Sequence, residues 1–107
     1  MAHKFADQLK LDASNALSLA TGPVDPPSEE MFRIWVWLYQ SKTKAAGRGS
    51  KDWGNTPVSP TWDCPISMFP DSNQFEKGPA VGMAIAEVKK GNRREYFGWW
   101  DKVKIVD

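Results

Sequence analysis

Glu30-Met31-Phe32-Arg33-Ile34-Trp35-Val36-Trp37-Leu38-Tyr39-Gln40 alternates two sets of side chains. Phe32, Ile34, Val36 and Leu38 fall on one side of an extended chain, and Met31, Arg33, Trp35, Trp37 and Tyr39 on the other. β-branched and aromatic residues suit a pleated, packed surface. The stretch predicts a central β-strand. Because both of its faces are largely apolar, either both are covered or one of them meets a partner.

Downstream, Pro79–Lys90 and Arg93–Val106 read as the arms of a C-terminal β-hairpin joined by Gly91–Asn92. Pairing Lys90 with Arg93 writes out the register. Val88 then opposes Glu95, Ala86 opposes Phe97, Ala84 opposes Trp99 and Gly82 opposes Asp101 on one side. Glu87 opposes Tyr96, Ile85 opposes Gly98 and Met83 opposes Trp100 on the other. Small residues meet large ones, as a packed cross-strand pair needs. A helix over 79–90 is the rival, with Pro79 at its first position and Gly91 just past its end.

Upstream, Leu9 and Leu11, then Leu17 and Leu19, alternate with polar neighbours and suggest two short strands around Ser14–Asn15. A helix over 5–20 competes, because Leu9, Ala13, Ala16, Leu17 and Ala20 share a helical face and Gly22–Pro23 would stop it. The stretch 22–28, rich in proline, reads as an irregular connection. Residues 41–60, with three glycines and two prolines, read as a long loop that is mobile or functional. Trp62, Cys64, Ile66 and Met68 suggest a short strand that Pro65 confines to an edge or a bulge. Residues 1–4 are expected to be disordered.

These elements predict a mostly-β fold, a small antiparallel β-sandwich of immunoglobulin-like or similar architecture. The alternative is an α+β fold with helices near 5–20 or 79–90. A chain of 107 residues fits a single domain spanning 1–107 and can hide roughly two-thirds of the surface it exposes when unfolded.

Charge and motifs then narrow the function. Fourteen basic and 13 acidic residues leave a net charge of +1, which gives no argument for nucleic acid. The longest wholly apolar run, Ile34–Tyr39, has six residues and is far too short for a membrane span. The N-terminus lacks the apolar centre of a signal peptide, so a cytoplasmic protein is expected, with a removed leader as the alternative. Cys64 is the only cysteine, so neither an internal disulfide nor a cysteine zinc cluster can form. It reads as a small buried apolar residue.

The single histidine, His3, lies two residues from the N-terminus, where disorder is the default, and no spacing selects a pair of carboxylates. The run Gly47-Arg48-Gly49-Ser50-Lys51 resembles a phosphate loop in composition only. No catalytic residue, metal site or cofactor is therefore expected.

The six tryptophans stand out. Trp99 and Trp62 read as core. Trp35, Trp37, Tyr39, Trp53 and Trp100 are the candidate binding residues. An aromatic strip of this kind anchors protein contacts, including self-association, or stacks on sugars. The expectation is a non-catalytic interaction module, with a carbohydrate-binding domain as the alternative.

Overall fold

In a computed structural model of the chain, residues 3–5, 8–10, 17–23, 31–55 and 62–106 are described. They form β1 (His3–Phe5), β2 (Gln8–Lys10), β3 (Leu17–Pro23), β4 (Met31–Gln40), β5 (Ala45–Asn55), β6 (Trp62–Met68), β7 (Gly78–Lys90) and β8 (Arg93–Val106). No helix occurs among the described residues, so the helix over 79–90 is overturned. Within 5–20, Phe5, Gln8–Lys10 and residues 17–20 are extended, and residues 11–16 lie outside the described residues.

The strand order is β1-β3-β6-β5-β4-β7-β8-β2. Its centre, β6-β5-β4-β7-β8, is an open antiparallel sheet of five strands. β4 lies between β5 and β7, the central place its alternation predicts. The ladders establish a mostly-β fold. They join every described strand into one sheet, because β6 bonds both β3 and β5.

The hairpin register follows the sequence reading pair for pair, including Ala84 with Trp99, Ala86 with Phe97 and Met83 with Trp100. Gly91 takes φ +59° while Asn92 keeps a negative φ. That is the II′ pattern, in which the first turn residue is left-handed and glycine fits without steric cost. The matched twist of such a turn fixes the pairing of two long strands.

β4 separates the two surfaces of the sheet. Phe32, Ile34, Val36 and Leu38 are fully buried on the inner face. Each such side chain contributes roughly 1.5–3 kcal/mol relative to an exposed position. Beside them, the small residues Ala84 and Ala86 leave room for Trp99 and Phe97 across the hairpin. β1 and β3 fold back over this face. Phe5 packs on Trp99 with ring centroids 6.1 Å apart, and Trp99 Nε1 donates to Thr21 Oγ1 at 3.0 Å. Leu17, Leu19, Cys64, Phe75, Val103 and Ile105 complete the core.

The stretch 41–60 is a correction. Ser41–Lys44 is a tight turn, and Ala45–Asn55 is a full strand paired along β4. Residues 56–61 lie outside the described residues. The glycines that suggested a loop have another cause. A methyl group at Gly49 would stand 2.2 Å from the Pro65 carbonyl oxygen, and one at Gly47 would stand 2.8 Å from the Ser67 carbonyl oxygen. β6 crosses so close to β5 that only glycine fits.

This crossing makes β6 the corner of the sheet. Its residues Trp62–Ile66 pair with β3, and only Ser67 and Met68 pair with β5. Pro65, expected at an edge or a bulge, has a ladder partner, Ser18, on one side only, although β6 itself lies between β3 and β5. A strand that changes partners along its length is how a sheet turns a corner. The expected disorder of residues 1–4 is corrected at His3 and Lys4, which pair with Pro23 and Gly22. Residues 24–28 of the expected proline-rich connection lie outside the described residues, whereas Gly22 and Pro23 belong to β3.

Candidate functional site

The outer face of β5-β4-β7-β8 collects most of the side chains that the sequence assigned to binding. Successive cross-strand pairs build it as rows. Trp35 lies between Ser50 and Ile85, with Gly98 beyond on β8. Trp37 lies between Arg48 and Met83, with Trp100 beyond. Tyr39 lies between Ala46 and Val81, with Lys102 beyond.

Alternation within each strand puts these residues opposite the core, and their burial agrees. Trp35 and Trp37 are half-buried, and Tyr39 is exposed. Met83 is 52% exposed, Tyr96 63% and Trp100 64%, values far above those of core side chains. Trp35, Trp37, Tyr39 and Trp100 thus share one surface. Trp53 is in β5, but its side chain lies outside the described residues, as does that of Trp62.

Two depressions mark this surface. A cleft of about 650 Å³ is bordered by Trp35, Trp37, Arg48, Ser50 and Ser67, beside the corner where β6 leaves the sheet. A shallower apolar one, about 390 Å³, is bordered by Trp37, Tyr39, Phe69, Met83 and Ile85. Arg48 covers the Phe69 ring, with its guanidinium carbon 5.9 Å from the ring centre.

At one end of the strip the sequence reading missed a polar cluster. Arg33, Glu87 and Tyr96 occupy one row across β4, β7 and β8. Glu87 points to the outer face, yet it is only 4% exposed. Arg94 Nη1 lies 3.8 Å from its Oε1, and the Tyr96 hydroxyl donates a hydrogen bond to its carboxylate. That bond raises the Tyr96 pKa above its ordinary 10.0, because losing the proton would lose the bond and set two anions side by side.

Arg33 stacks 4.8 Å above the Trp35 ring and lies 3.7 Å from Asp52. Among the described residues, Arg33 Nε and Glu87 Oε1 are the buried side-chain atoms without a hydrogen-bond partner. The signal for this cluster was present in the sequence, since the hairpin register already sets Glu87 opposite Tyr96 on the side of Trp100.

Chemically the face offers flat rings, flexible thioethers and guanidinium groups, a surface suited to contact. Cys64 is fully buried in the core. Among the described residues no group of three or more His, Cys, Asp or Glu side chains is placed to hold a metal ion. No helix among them is long and apolar enough to cross a membrane. No protein-family model, curated protein or solved structure matches the chain.

Proposed function

We propose that this protein is a non-catalytic interaction module whose outer sheet face, centred on Trp37, Met83 and Trp100, binds a protein partner. The observation that carries this reading is the exposure of Met83 and Trp100 in register with the half-buried Trp37, on a sheet whose other face already supplies a complete core. Exposed rings and methionines in contiguous rows are what partner contacts use, since each buries a large apolar area and the rings do so at a modest cost in side-chain freedom. The sandwich-like reading of the architecture belongs here too. Its support is the approach of Phe5 and Leu19 to Gly82, which lays β1 and β3 over the inner face of β7.

An apolar fluorescent probe, anilinonaphthalene sulfonate, tests the binding reading. It is expected to bind the folded protein and to be lost in Met83→Lys with the melting temperature unchanged. A folded wild type that binds no probe overturns the reading.

A second reading, carbohydrate binding, rests on the cleft where Trp35 and Trp37 meet Arg48, Ser50 and Ser67. Indole faces beside hydroxyl and guanidinium groups are the pairing a pyranose needs. A panel of oligosaccharides is expected to shift the tryptophan emission if this reading holds, and no shift with any member removes it.

A further inference from the structure

We infer that the partner of the outer face is a second copy of this chain, paired about a two-fold axis that runs along the strands between β4 and β7 and sets Arg33 of each copy over Glu87 of the other. This rests on the reading of the outer face as the binding surface.

A two-fold interface is isologous, so the face has to complement its own rotated image. The register gives that image directly. An axis between β4 and β7 exchanges those two strands and exchanges β5 with β8. Arg33 then meets Glu87, Trp35 meets Ile85 and Trp37 meets Met83. On the flanks Arg48 meets Trp100, Ser50 meets Gly98, and Asp52 meets Tyr96 beside Arg94. Cation falls on acid, ring on aliphatic or thioether, guanidinium on indole, and small residue on glycine. An axis across the strands gives a poorer image, with Glu87 over Val81 and Tyr96 over Lys102.

A second observation concerns the same Arg33 and Glu87. The buried atoms without hydrogen bonds, Arg33 Nε and Glu87 Oε1, are a donor and an acceptor, and the axis exchanges their positions. Within one chain Arg33 Nε has Asp52 at 3.7 Å and Glu87 Oε1 has Arg94 at 3.8 Å, ion pairs too long for hydrogen bonds, and a second copy would bring an acceptor to the first and a donor to the second. Tyr96 and Arg94 cover Glu87, and both are more than half exposed. Reaching the carboxylate takes rotation of surface side chains and no movement of the sheet.

The area sets the strength. Four strands spaced roughly 4.8 Å apart and seven residues long present about 450 Å² in projection, below the roughly 800 Å² per partner of standard interfaces. The dimer belongs to the weak, reversible class.

Sedimentation velocity on the whole chain, carried to several hundred micromolar, tests the pairing. The wild type is expected to shift from monomer to dimer. Asp52→Arg and Arg94→Glu, both at exposed positions, are each expected to weaken association roughly tenfold or more. An equimolar mixture of the two is expected to recover it, because each variant then faces the opposite charge. Met83→Lys is a further variant expected to abolish association should either charge variant fail to fold.

A wild type that stays monomeric yet binds the apolar probe overturns self-pairing and leaves the face free for another protein. A monomer that binds no probe overturns both readings. A dimer that the mixture of folded charge variants does not rescue, or that Met83→Lys leaves intact, overturns this axis.

Discussion

Gln40 and Glu76 are joined in both directions: the Gln40 amide nitrogen donates to the Glu76 carbonyl at 2.8 Å, and its oxygen accepts the Glu76 N–H at 2.9 Å. The same oxygen accepts from Thr43 Oγ1 at 2.8 Å, and the same nitrogen donates to the Pro79 carbonyl at 3.3 Å. One fully buried amide therefore ties the end of β4, the turn after it and the segment leading into β7 together. Gln40→Leu keeps the volume and removes every bond. Leaving several buried partners unmatched is expected to cost about 2–3 kcal/mol in urea unfolding. A loss below about 0.5 kcal/mol would show that water replaces the clamp.

Two glycines on opposite faces are expected to respond to alanine with opposite signs. At Gly49 the new methyl meets the Pro65 carbonyl, which is backbone and cannot turn away. Gly49→Ala is expected to destabilise by about 3 kcal/mol through overpacking at the β6 corner. At Gly98 the nearest atom is 3.7 Å away, an ordinary contact. Gly98→Ala is expected to stabilise by about 0.5 kcal/mol, since glycine inside a strand carries an entropic penalty. Equal effects at the two sites would contradict the close crossing of β5 and β6.

The Tyr96–Glu87 bond predicts a pH dependence with a definite sign. In the unfolded chain Tyr96 titrates near 10.0, and in the fold its proton is held to higher pH. Stability from this bond is complete below the unfolded value and is lost as pH rises through the raised folded value. Tyrosinate absorbance, with Tyr96→Phe to isolate Tyr39, is expected to show Tyr96 ionising above 10.0. Glu87→Gln is expected to lower that midpoint. An unchanged midpoint in Glu87→Gln would place the cause elsewhere.

The sequence was most legible where alternation and turn chemistry agreed. In β4 every second residue is a large apolar one, and in β7–β8 the Gly91–Asn92 turn fixes the register. Trp35, Trp37 and Tyr39 could therefore be assigned to one face of β4 and Trp100 to the side of Met83 and Tyr96, and the β4–β7 ladder makes the two a single surface. β5 was illegible because Gly47 and Gly49 answer to a strand crossing distant in sequence, and local rules read glycine as loop. Glu87 was illegible as a buried group for a related reason. Its burial on an outward position depends on Arg94 and Tyr96 from β8, so composition alone marks it as solvated. The sandwich expectation rested on strand count. Strand count says nothing of how the strands pair, and β6 bonds β3 and β5 in turn.

The central claim is that the outer face is an accessible contact surface. Hydroxyl-radical footprinting of the dilute protein, read residue by residue by mass spectrometry, tests it most directly. Rapid oxidation of Met83, Tyr96 and Trp100 together is expected, with Phe32 and Phe75 protected, and joint protection of the first three once a partner is bound. Slow oxidation of Met83 and Trp100 in the dilute protein, at the rate of the core phenylalanines, would contradict it.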